Sequence, residues 1–160
     1  MKAEGRTIPA WLEEGLASEV AIAYPMSTRF EFGVSWRDQA LQRKWKSRPK
    51  VDALLDLSWD AYLPKNTTPA ELDRVAATHA LSAAFIRYLD NTGRLQDVYR
   101  QVPKQRPGAE PAERVPTSAL VASILGRTPA QLDADFVKWF GYTPPTGAAP
   151  PPASTNQIKK

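Results

Sequence analysis

Through most of this chain the apolar positions recur at helical spacing, and prolines, Ser/Thr caps and glycines divide them into segments. Thr7-Ile8-Pro9 opens the first segment, because proline fits an initial helical turn whose N–H needs no partner. Ile8, Trp11, Leu12 and Leu16 then share one face. Between Tyr24 and Gly33 the period breaks at Pro25 and Gly33, and the run RFEFGV from Arg29 reads as a short strand. Ser35 with Asp38 predicts a cap for a second helix, with Trp36, Ala40, Leu41 and Trp45 on its buried side. Pro49 restarts the chain, and Val51, Leu54, Leu55 and Trp59 predict a short third helix.

The clearest pattern runs from Pro69 to Asp90. Thr68-Pro69-Ala70-Glu71 is a capping box with proline at the first position, and Asn91-Thr92-Gly93 supplies the stop. Leu72, Val75, His79, Ser82, Ile86 and Leu89 form one stripe, and Leu81, Phe85 and Tyr88 a second. Alanines at 76, 80, 83 and 84 fill the space between them. A helix so apolar around its girth belongs at the centre of a core.

Gln96 to Val102 continues as a short helix, and Pro103 to Pro116 reads as a polar, proline-interrupted loop. Another short helix ends at Gly126. Thr128-Pro129-Ala130-Gln131 caps a last one, whose buried face carries Leu132, Phe136, Trp139 and Phe140. The expectation is an all-α domain over residues 1–141, with about six helices and little or no sheet. The Pro/Ala-rich stretch 142–160 is expected to be a disordered tail, because it has too little apolar surface to offset its ordering entropy.

Composition narrows the chemistry. At 160 residues there is enough chain for one domain with a true core. With no cysteine, disulfides, thiol catalysis and Cys-based zinc sites are excluded. The net charge of +4 demands no anionic partner. The basic run Arg37, Arg43, Lys44, Lys46, Arg48 and Lys50 lies opposite the Trp36/Trp45 face, so it reads as a solvated helix side and no nucleic acid is expected. No apolar run reaches the ~20 residues that span a bilayer. A single histidine cannot build a two-imidazole metal site.

The opening segment is specific in another way. PAWLEEGLA, Pro9 to Ala17, resembles the P-x-W-L-x-E-G-L-A signature of the peptidase MA-like (gluzincin) zinc metallopeptidases. Three later stretches resemble that family in order: Arg37 to Tyr62, Thr78 to Leu89, and Leu125 to Phe140. The resemblance implies that Glu14, the acid directly before Gly15, is the third zinc ligand. It also implies that a downstream His or Tyr polarises the scissile carbonyl, a role that would fall to His79. Helical periodicity alone does not choose between Glu13 and Glu14, since both sit on the rim of the apolar stripe.

The H-E-x-x-H helix of that family is absent, because His79 is the one histidine. The chain is therefore expected to be the C-terminal helical part of such an enzyme, inactive and holding no zinc by itself. Its partners would be an H-E-x-x-H-bearing half and a peptide substrate. The alternative is a non-catalytic helical interaction module on the same scaffold. In plainer terms Glu13-Glu14 is a solvated acidic first turn, and His79 a satisfied core histidine. Ser82, three residues after His79, offers a weak hydrolase pairing with no acid attached.

Overall fold

The computed structural model describes residues 8–20, 23–26, 29–32, 36–64, 68–102 and 116–141. Among them are eight α-helices: α1 (Ala10–Val20), α2 (Trp36–Arg43), α3 (Val51–Leu55), α4 (Trp59–Tyr62), α5 (Pro69–Asn91), α6 (Leu95–Gln101), α7 (Thr117–Leu125) and α8 (Pro129–Gly141). A 3₁₀ turn at Trp45–Ser47 follows α2. Strands β1 (Ala23–Met26) and β2 (Arg29–Phe32) pair antiparallel, with Ala23 opposite Phe32 and Met26 opposite Arg29. The architecture is all-α apart from this hairpin. Pro25 lies within β1 rather than ending it, as a two-stranded ribbon has outer edges where a missing N–H costs nothing.

Helix α5 has the ends its sequence encodes. The Thr68 Oγ1 accepts the Glu71 N–H, and the Glu71 carboxylate accepts the Thr68 N–H at 2.7 Å. At the other end Gly93 adopts φ +68°, which lets the Arg94 N–H reach the Leu89 carbonyl and the Gly93 N–H reach that of Asp90. Gly126 closes α7 the same way at φ +65°. The Thr128 N–H donates to Gln131 Oε1 at 2.9 Å at the start of α8.

Residues Ala77 to Ile86 of α5 are buried at every position except His79, so the middle of this helix is the axis of the core. Trp11 and Leu12 of α1, Leu41 of α2, Leu54 and Leu55 of α3, Tyr62 of α4 and Phe136 of α8 all pack into it with no exposed surface to speak of. Trp11 meets Phe85 edge-on at 5.8 Å, and Phe136 sits between Phe85, Tyr88 and Trp45.

Two long-range polar ties hold the short helices. Asp133 of α8 accepts both Arg48 guanidinium nitrogens and the Val51 N–H, so one carboxylate caps α3 and neutralises a nearly buried arginine. Asp56 accepts the Ser118 N–H at 2.9 Å and its hydroxyl at 2.6 Å, capping α7 from 62 residues away.

Several expectations change. The third helix is split into α3 and α4, because the chain turns at Asp56–Leu57 and Ser58 starts a new cap by accepting the Ala61 N–H. Trp36 is 66% exposed instead of buried, since it is the first residue of α2 and its ring lies under the Arg37 guanidinium. Leu72 is 54% exposed, because the first turns of α5 extend past the packed region. Trp45 does pack on the core, but from the 3₁₀ turn, stacked on Phe140 and covered by Arg48. The Ser35 cap, the 103–115 loop and the 142–160 tail lie outside the described residues. No helix among the described residues is long and apolar enough to cross a membrane.

Candidate functional site

Pro9 begins the arrangement that brings the two singled-out residues together. Its carbonyl accepts the Leu12 and Glu13 N–H groups, and the Trp59 indole donates to the Ile8 carbonyl at 3.2 Å, which fixes where α1 starts. Trp11 and Leu12 then anchor one side of α1 in the core. Four residues after Trp11, Gly15 faces α5, where a β-carbon would lie 2.7 Å from Ile86 Cγ1 and 2.9 Å from the Ser82 carbonyl oxygen. Helix α1 and α5 therefore touch through bare backbone, as the E-G sequence suggests.

Glu13 points outward and is exposed, whereas Glu14 turns along the edge of the contact and is one-third exposed. Its Oε2 stands 3.7 Å from His79 Nδ1 on α5. Two residues 65 positions apart thus lie side by side, both partly exposed, and the geometry separates the two glutamates that periodicity left equivalent.

His79 is supported from beneath by Tyr62, whose ring centroid is 4.6 Å from the imidazole at an angle of 57°. The Tyr62 hydroxyl and Ser82 Oγ are 2.8 Å apart, and Ser82 Oγ also donates to the Thr78 carbonyl at 3.1 Å. Since a serine carries one hydroxyl proton, Tyr62 is the donor to Ser82. Burial pushes the Tyr62 phenol above its usual range, so it keeps its proton at neutral pH. Burial also holds the His79 imidazole below its ordinary value, the Glu14 charge opposing this and Arg37 reinforcing it. A neutral imidazole with an available nitrogen is the resulting form. Ser82 is fully buried, with its proton given to the Thr78 carbonyl and the Tyr62 hydroxyl donating to it, so it is not presented as a nucleophile.

A second polar cluster lies deeper on the same helix pair. Glu19, on the last turn of α1, has no exposed surface, and neither of its oxygens has a hydrogen-bond partner. Arg87 Nε approaches Oε1 at 3.5 Å, while its two terminal nitrogens grip both oxygens of Asp38 on α2. Desolvation raises the Glu19 pKa to about 7 against the pull of Arg87. Sequence reading passed over Glu19, although it follows Gly15 by four residues on the contact face with no nearby cation in the chain. It also passed over Tyr62, whose α4 is too short to show a periodic face. Of the basic run, Lys44 is tied to Asp73 and Arg48 to Asp133.

For metal chemistry the site offers one carboxylate and one imidazole. No group of three or more His, Asp or Glu side chains able to hold a metal ion occurs among the described residues. These donors fit part of a catalytic zinc site, which takes three protein ligands, and do not complete one. Comparison of the chain with protein-family models, with curated proteins and with solved structures gives no match.

Proposed function

We propose that this chain is the C-terminal helical part of a zinc-dependent, gluzincin-like metallopeptidase, and that Glu14 is the carboxylate it contributes to the metal. The observation that carries the reading is the contact at Gly15, which sets Glu14, one-third exposed, beside His79 of α5. A ligand carboxylate needs such a fixed backbone and an accessible oxygen. Zinc, when bound, supplies a water of lowered pKa as nucleophile for peptide-bond hydrolysis.

The residues of this chain do the remaining work. Trp11 and Leu12 hold α1 against the core, Gly15 sets its distance from α5, and Glu14 presents its carboxylate. His79, whose Nδ1 stands 3.7 Å from that carboxylate, is the group that would polarise the scissile carbonyl. The two imidazole ligands and the general base would come from an H-E-x-x-H helix that this sequence does not contain.

The gene tests this directly. Translating the DNA immediately upstream of the Met1 codon should reveal an in-frame H-E-x-x-H, and in the protein carrying both parts Glu14→Gln should abolish proteolysis. No such motif upstream defeats the proposal and leaves the helical interaction module as the better reading; full proteolysis by the Glu14→Gln protein defeats the assignment of Glu14 to the metal.

A further inference from the structure

Where α1, α2 and α5 meet, one guanidinium stands between two carboxylates. The side chains of Glu19, Arg87 and Asp38 are 1%, 14% and 16% exposed, so water screens none of them well. Arg87 gives its two terminal nitrogens to the two oxygens of Asp38, a forked pair that leaves its Nε–H unused. That Nε has no hydrogen-bond partner, and neither has either oxygen of Glu19. Nε and Oε1 stand 3.5 Å apart, just beyond the ~3.2 Å reach of an N–H···O bond.

A buried carboxylate without donors is far more costly ionised than neutral, so this geometry is the one that suits protonated Glu19. Ionisation demands a donor within reach. The charged groups that face Glu19 are Arg87 of α5 and Asp38 and Arg37 of α2, and Arg87 acts on it most strongly. A guanidinium is a rigid plane. A shift that brings Nε onto Glu19 therefore moves the terminal nitrogens too, and loosens their hold on Asp38. Asp38 lies in the first turn of α2, behind the exposed Trp36 and Arg37.

We propose that Arg87 is a proton-controlled clamp: with Glu19 protonated it holds the first turn of α2 through Asp38, and with Glu19 ionised it turns to Glu19 and releases that turn. The released turn carries Arg37, whose charge bears on both His79 and Tyr62. One buried proton thereby reaches the imidazole without touching it. The clamp stands apart from the metallopeptidase reading, since neither Glu14 nor a metal enters it.

Side-chain NMR and hydrogen exchange on the whole chain, from about pH 5 to about pH 8, test it. The Arg87 Nε–H resonance should move downfield as Glu19 ionises, with a midpoint of about 7. The amides of Ala40 to Arg43 bond back to the first turn of α2. Over the same range they should lose at least ~5-fold more protection than the amides in the middle of α5. Glu19→Gln, which mimics the protonated acid, should keep both signals at their acid-side values. An Arg87 resonance that does not follow pH, or α2 protection that falls only in step with α5, overturns the clamp in the parent chain, whether or not the variant folds. So does the same transition in a folded Glu19→Gln chain.

Discussion

A β-carbon on Gly15 would stand 2.9 Å from the carbonyl oxygen of Ser82. The neighbour is backbone in the middle of a buried helix, so it cannot rotate away as a flexible side chain would. Gly15→Ala should therefore push α1 off α5 and cost about 1–3 kcal/mol of stability, despite alanine's better helix propensity. Urea unfolding measures this. A neutral or stabilising result would mean that the two helices are not seated on each other here. The same substitution should move Glu14 away from His79.

Tyr62 and Ser82 form a buried hydroxyl pair under the imidazole. Tyr62→Phe keeps the ring but removes the donor, while Ser82 keeps its bond to the Thr78 carbonyl. The expected loss is about 1 kcal/mol. The ring would still support His79 but would no longer be pinned, so the imidazole signals in NMR should sharpen or double. A variant as stable as the parent with an unchanged His79 spectrum would show that this pair does not order the imidazole.

Asp133 serves two donors at once, the Arg48 guanidinium and the Val51 N–H. Asp133→Ala would strand a nearly buried arginine and uncap α3, for a loss of about 3 kcal/mol. Burial opposes the carboxylate, but Arg48 and the Val51 N–H outweigh it and hold its pKa below the ordinary aspartate value. An acid with a depressed folded pKa stabilises above its unfolded value, and that contribution is lost as pH falls through the folded one. Acid unfolding of the parent should thus be steeper below about pH 4 than that of Asp133→Ala. Equal slopes would remove Asp133 from the account.

Glu19 has the opposite sign. Its pKa rises from 4.5 to about 7 because burial disfavours its charge, with Arg87 and Arg37 opposing and Asp38 adding to the rise. Between those values the folded chain holds a proton that the unfolded chain has released, so stability falls as pH rises through this window. The change should be on the order of 1–3 kcal/mol. Glu19→Gln should flatten that dependence and be the more stable protein at pH 8. Melting temperatures from pH 4 to 8 decide the matter, and a slope that survives in Glu19→Gln would place its origin elsewhere.

Local chemistry was enough to define the helices whose ends are written in consecutive residues. Thr68 to Glu71 and Asn91 to Arg94 bound α5, and Gly126 ends α7, because capping groups and positive-φ glycines act within a few residues of themselves. The same sequence could not foretell that Asp56 caps α7 or that Asp133 caps α3, since those donors and acceptors are far apart in the chain. Nor could it foretell that Trp36 would stay outside, which depends on where a helix meets the edge of the core.

The candidate site divides in the same way. The pair of glutamates beside a glycine on α1, and the lone histidine on the longest helix, can be read from consecutive residues. Which glutamate meets that histidine follows from the packing of α1 on α5. The selection arises at one close backbone crossing between α1 and α5, and no pattern within either helix records the angle at which they cross.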